Sequence, residues 1–198
     1  MAGKSIDHAF TATGNLGAAS DPTYAGVPSF LRRRFTKDVS GTDAAVWGIP
    51  FDSAVSNRPG ARFGPAAIRR ASMIFDNDPQ YPFGIDLFER MGVVDYGDCL
   101  LDYRLPETAH EAIRAEASAL IAKTGFLLTL GGDHSITWPL LQAHAERHGP
   151  LGLIHFDAHQ DTWPIAITAD GSQRVDHGSF LIAAVEAVPA PPVKEETV

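Results

Sequence analysis

A single cysteine, Cys99, stands in 198 residues, so no disulfide can close within the chain and no thiolate cluster can hold a structural metal. Such sparing use fits a reducing compartment, with Cys99 an inert thiol. Long apolar runs are also lacking: nothing approaches the roughly 18 apolar residues that suggest a membrane span. Met1 to Asp21 hold no apolar core of a secretory leader. These absences read as a soluble, cytoplasmic protein with no membrane partner. Positive charge is in deficit too, with 16 Lys and Arg against 24 Asp and Glu and a formal net charge of -8. That balance argues against nucleic acid as a partner, because a phosphate-tracking surface needs a clustered basic face. A cationic small molecule suits it better.

What is present is ordinary for one globular domain: 44% apolar and 20% charged residues, enough to bury a core. Residues 1–29 are rich in Gly, Ala, Ser and Thr without apolar periodicity. They read as a flexible N-terminal arm that could pack against another subunit of a homo-oligomer. Residues 30–187 carry the patterned domain, and residues 188–198, with Pro189, Pro191 and Pro192, read as a Pro-rich disordered tail.

Within the domain, short apolar runs at 44–49, 91–96, 126–130 and 151–156 predict four buried strands. Residues 51–65 form a turn-rich loop leading into a helix start at 66–71 with Pro65 at its first turn. Helices are expected over 106–123, where Ala109, Ile113, Ala117, Leu120 and Ile121 recur at helical spacing, over 137–148, and over 177–187. Strands alternating with helices imply a three-layer α/β/α fold with a mostly parallel sheet, whose ligands belong at the carboxyl ends of the strands.

Two polar clusters sit at such ends. Gly131-Gly132-Asp133-His134-Ser135 follows the third apolar run, and His155-Phe156-Asp157-Ala158-His159-Gln160-Asp161 straddles the end of the fourth. The first alone reads more readily as a strand-to-helix turn with Asp133 or Ser135 as a cap. The second is harder to explain without a cation. Asp157, His159 and Asp161 share one face of an extended chain, and two carboxylates bracketing an imidazole repel one another unless a positive ion intervenes. Carboxylate and imidazole donors suit Mn, Fe, Co or Zn, and the excess of carboxylates makes manganese the first choice. A carboxylate bridging two such ions activates water, so hydrolysis is the implied reaction.

His177, in Asp176-His177-Gly178-Ser179, reads either as a surface histidine or as a proton donor to a leaving amine. His144 and His148 read as a solvated helix face. Arg58 and Arg62, in the 51–65 loop, read as structural cations paired with local acids.

The stretch Asn57-Arg58-Pro59-Gly60-Ala61-Arg62-Phe63-Gly64-Pro65-Ala66-Ala67-Ile68-Arg69, then Gly131-Gly132-Asp133-His134-Ser135, then Asp157-Ala158-His159-Gln160-Asp161, resembles in order and spacing the ureohydrolase family of arginases and agmatinases. Residues 86–98 and Asp176-His177-Gly178 resemble the agmatinase branch. The resemblance implies an arginase-like fold and a binuclear manganese enzyme that hydrolyses a guanidino compound to urea and an amine. It assigns His134, Asp157 and Asp161 to one metal and Asp157 and His159 to the other, with Asp157 bridging and His177 as proton shuttle. Arginases carry Asn where this chain has Trp163, so agmatine is favoured over arginine, and a guanidinobutyrase-type specificity stays open. Family members continue with a Ser-x-Asp-x-Asp-x-x-Asp-Pro motif that completes both metal sites and has no counterpart here. The expectation is therefore a partial ureohydrolase domain, its last strands missing, either agmatinase-like or a non-catalytic truncated remnant. The family's sheet order also places those last strands between the third and fourth, so the strands ending at Leu130 and Phe156 are not expected to be neighbours.

Overall fold

The computed structural model describes residues 7–17, 19, 21–75 and 78–187. Four parallel strands, β1 (Arg34–Phe35), β2 (Ala44–Gly48), β3 (Val93–Asp98) and β4 (Phe126–Leu130), form the central sheet in the order β1-β3-β2-β4. Central β2 is Ala-Ala-Val-Trp-Gly and buried along its whole length. Pleating sends Ala45 and Trp47 to one side and Ala44 and Val46 to the other, and each side builds its own core.

On the first side, α3 (Ala109–Ile121) lays Ala109, Ile113, Ala117, Leu120 and Ile121 against Ala45, Trp47 and Val94. These are the five positions whose spacing predicts the helix. Helix α4 (Thr137–His148) packs beside α3 and adds Ala143 to the same core. The opposite side is closed by Phe30, Leu31, Phe75 and Phe88, and α2 (Gly64–Ser72) lies against the turn at 30–32 and against β4. The result is the expected three-layer α/β/α arrangement around a parallel sheet. No helix among the described residues is long and apolar enough to cross a membrane.

Several expectations need correction. The strand predicted at 151–156 does not form: the segment has no ladder partner among the described residues, and Ile154 and Phe156 are 81% and 94% exposed. Apolarity marks a segment that can be buried, but strand formation needs a neighbour to pair with, and β4 is the sheet's edge. The helix predicted from 106 opens as a single 3-10 turn at Pro106–Thr108 before α3 begins. The one predicted from 177 starts only at Phe180, as α5 (Phe180–Glu186), because Asp176 organises a turn through Gly178 N and Ser179 Oγ. The second strand is shifted two residues, to Val93–Asp98. A small antiparallel hairpin, β5 (Ala166–Ile167) with β6 (Gln173–Arg174), was not expected.

Where it is described, the N-terminal arm is packed: α1 (His8–Thr11) buries Ala9, and Gly17 N–H donates to Phe88 O at 2.9 Å. Burial of Arg33, whose guanidinium donates to Gly17 O at 2.7 Å, brings its pKa down to about 10. The Pro-rich tail at 188–198 lies outside the described residues.

Candidate metal centre

The chain leaves β4 through Gly131 and Gly132 directly over the segment that follows β2. A Cβ on Gly132 would lie 2.4 Å from Phe51 O and 2.7 Å from Ile49 O, so only glycine fits. Gly132 N–H and Asp133 N–H donate to those carbonyls, at 3.3 and 2.8 Å. Asp133 then caps the turn at His134–Ile136: its Oδ1 accepts from Ser135 N (2.9 Å) and Ser135 Oγ (2.6 Å), and its Oδ2 from Ala54 N (3.0 Å). The capping role read for Asp133 is real, and it fixes the residue that follows. His134 is thereby held at the strand end.

Asp157 and Asp161 meet His134 there. His134 Nδ1 is 2.9 Å from Asp161 Oδ2 and 3.3 Å from Asp157 Oδ2. His155 joins them, its Nε2 3.5 Å from Asp161 Oδ2 and 3.8 Å from Asp157 Oδ2. One donor atom from each of these four residues lies within 4.8 Å of all the others. His155 Nε2 and Asp161 Oδ2 are buried and make no hydrogen bond among the described residues, despite the short approach of His134 to the latter. Buried polar atoms without partners cost roughly 1–3 kcal/mol each. Donors of this chemistry converging on one point fit a divalent cation, which would satisfy both. Asp161 adopts a left-handed backbone (φ 51°), strain of the kind that collects at functional sites. Phe180 of α5, fully buried, forms an apolar floor, its ring centroid 4.3 Å from that of His134 and 5.6 Å from that of His155.

The structure thus gathers three of the four residues read as ligands, His134, Asp157 and Asp161. His159 stands on the other side of Asp157: its side chain is 82% exposed and its Nδ1 lies 3.2 Å from Asp157 Oδ1. The backbone N–H of His159, donating to the same oxygen at 2.9 Å, holds the Asp157 carboxyl below the usual range. Asp157 therefore presents one oxygen to the four-residue cluster and the other to His159. His155 was not singled out from sequence, although its place two residues before Asp157 puts both on one side of an extended chain.

His177 is half-buried. Its ring Nδ1 lies 2.6 Å from Ala54 O and its Nε2 3.1 Å from Ser56 Oγ, with Trp163 edge-on at 6.0 Å. Trp163 N–H donates to Gly178 O at 2.8 Å, and a Cβ on Gly178 would strike the indole at 2.8 Å, so glycine there makes room for Trp163. In the preceding loop, Arg62 pairs with buried Asp52, as read from sequence; the Arg62 hydrogen bond is the main cause of that carboxyl's lowered pKa. A depression of about 430 Å³ bounded by Thr129, Gly131, His134 and Asp157 opens beside the cluster.

Comparison with known proteins gives one consistent answer. The family model described as "Arginase family" matches residues 42–194. An agmatinase of Chromobacterium violaceum is 47% identical over 181 residues, covering 91% of this chain and 55% of the relative. The mitochondrial agmatinase of Gallus gallus is 43% identical over 155 residues, covering 78% and 44%. Among solved structures, a hypothetical agmatinase from Burkholderia thailandensis superposes with a TM-score of 0.85 at 45% identity, covering 92% of this chain and 56% of that one. Proclavaminate amidino hydrolase from Streptomyces clavuligerus gives 0.78 at 36%, covering 84% and 54%. The chain spans about half the length of the relatives it matches.

Proposed function

Since the chain belongs to the arginase family, we propose that it carries part of a manganese-dependent amidinohydrolase site acting on agmatine, with putrescine and urea as products, as a step of polyamine metabolism in the cytoplasm. The observation that carries this reading is the convergence of His134, His155, Asp157 and Asp161 with two buried donors left unpartnered. These four would hold one ion, and Asp157 Oδ1 with His159 would offer ligands to a second.

Bound there, manganese supplies Lewis-acid activation of water, lowering its pKa toward neutrality. The remaining work falls to the protein. Phe180 closes the rear of the cluster to solvent and keeps the local dielectric low, which strengthens every charge interaction in front of it. The net charge of -8 favours the approach of a guanidinium cation. His177 takes up a proton from solvent at Nε2 and passes it to the departing amine, while Nδ1 keeps its own proton, donated to Ala54 O. Trp163, where arginases carry Asn, offers no amide to an amino-acid carboxylate, which favours the decarboxylated substrate over arginine.

A second reading, a chain that binds metal without turnover, is supported by the unpaired, exposed state of the 151–157 segment that bears two of the four converging residues. One experiment separates the two. The purified chain is loaded with Mn²⁺, its metal content measured by mass spectrometry, and urea release followed from agmatine, guanidinobutyrate and arginine. Bound manganese with urea from agmatine supports the enzyme; bound manganese without urea from any of the three supports the second reading. Absence of bound metal would sink both.

A further inference from the structure

The geometry points to Asp133 as a positioning residue for His177, an inference that rests on the reading of His177 as proton donor. Neither residue touches the other. They are joined through the peptide units of Ala54: Asp133 Oδ2 accepts from Ala54 N at 3.0 Å, and Ala54 O faces His177 Nδ1 at 2.6 Å and accepts from His177 N at 3.4 Å.

A carbonyl oxygen can only accept, so Nδ1 must carry the ring proton at this distance, and in the neutral ring Nε2 is left as the lone-pair atom. Nε2 is the atom that meets Ser56 Oγ at 3.1 Å, the hydroxyl being the donor to it in that tautomer. The tautomer of His177 is therefore set by where Ala54 O stands.

Ala54 lies in a loop between β2 and α2, and its described backbone partners are His177 on the carbonyl side and Asp133 on the amide side. Asp133 is itself tied on every side. It is 5% exposed, its other oxygen is taken by Ser135 N and Oγ, and its own N–H is tied to Phe51 O. One carboxylate thus does two jobs with two oxygens: Oδ1 shapes the turn that bears His134, and Oδ2 anchors the peptide that orients His177. The strand end that bears His134 and the Ala54 loop that orients His177 are held in register by that single side chain.

An ordinary helix cap would need Oδ1 only, and the two roles separate by mutation. Asp133→Asn keeps the shape but replaces one acceptor oxygen with a donor, whereas Ser135→Ala removes a donor to Oδ1 and leaves the Oδ2 contact intact. The readout is the ¹⁵N chemical-shift pattern of the His177 ring near neutral pH, which reports the tautomer and needs neither metal nor turnover. The expected result is the Nδ1–H tautomer in the parent chain and in Ser135→Ala, with a mixture of tautomers in Asp133→Asn. Faster hydrogen exchange at Ala54 N–H in Asp133→Asn, but not in Ser135→Ala, is the second expected sign.

An Nε2–H tautomer in the parent chain overturns the proposal even if Asp133→Asn fails to fold, and an unchanged His177 pattern in a folded Asp133→Asn overturns it equally. Where urea release is measurable, Asp133→Asn should lower kcat by about 10-fold with KM little changed. The expected tautomers with no urea formed would leave the positioning role standing and remove the proton-donor reading instead.

Discussion

Arg69 of α2 lies along Asp95 of β3 in a two-pronged ion pair, Nε 2.7 Å from Oδ2 and Nη2 2.9 Å from Oδ1, with the carboxylate fully removed from solvent. Asp95 also accepts from Phe30 N and Gly97 N, and Arg69 reaches Asp98 and Gly97 O, so the buried charges are fully hydrogen-bonded. Cutting one partner strands the other in the interior. Arg69→Leu is expected to destabilise the fold by roughly 3–5 kcal/mol, read as a fall in the midpoint of chemical denaturation. A loss under about 1 kcal/mol, the size of a surface pair, would show that Asp95 is not held as described.

Glycine at 132 is required by backbone, not by a flexible side chain. Gly132→Ala would press its methyl onto Phe51 O and Ile49 O, and the expected cost is about 1–3 kcal/mol. Because the same turn positions His134, weaker Mn²⁺ binding should accompany it. Unaltered metal affinity at reduced stability would separate the turn from the site.

The two oxygens of Asp157 face different histidines, and substitutions should divide accordingly. Asp157→Asn is expected to weaken both ions, His155→Ala the first by about 10- to 100-fold, and His159→Ala the second alone. Titration calorimetry with Mn²⁺ resolves the steps. If His159→Ala removes the first, tighter step, the buried cluster is not the primary site.

Much of this was open to reading from the chain. The β2 and β4 runs and the α3 stripe sit where spacing and apolarity put them, and the three-layer order follows from their alternation. His134, Asp157 and Asp161 stood out because each follows an apolar run, and the structure brings their donors together. His155 escaped because a histidine inside an apolar run reads as part of the strand, and the Arg69–Asp95 pair escaped because it joins residues 26 apart that only the packing of α2 on the sheet brings together. The 151–156 run misled for a related reason: its composition says that it can be buried, while pairing depends on a neighbour that composition does not describe.

His110 bridges α3 to the His134 turn, its Nε2 3.1 Å from Ser135 Oγ and its ring edge-on to Phe51 and Trp138. Burial holds its pKa below the ordinary 6.5, with Asp133 pulling weakly the other way. A depressed histidine pKa means that the unfolded chain binds more protons than the folded one below that value. The stability it contributes is complete above pH 6.5 and is lost as pH falls through 6.5 toward the folded value. His8 and His144 are shifted the same way, also chiefly by burial. The melting temperature should drop between about pH 7.5 and about pH 5, and His110→Phe, which keeps the aromatic contacts, should drop less. An equal drop would show that His110 is protonated as readily in the fold as in the open chain.

The open edge of β4 and the unpaired 151–156 segment leave Phe126, Ile154 and Phe156 in solvent, at 61%, 81% and 94% exposure. A parallel strand is ordinarily covered on both sides, and an exposed edge with aromatic side chains is a template for association. The 198-residue chain is therefore expected to bind a hydrophobic dye and to self-associate as its concentration rises, measured by fluorescence and by light scattering. Ile154 and Phe156 are exposed and neither is among the four converging residues, so charges placed on them leave those donors in place. The double variant Ile154→Lys with Phe156→Lys should reduce dye binding by about 2-fold or more while leaving Mn²⁺ affinity intact. Unchanged dye binding would mean that these side chains are covered in solution, and a loss of metal would mean that they reach the converging donors.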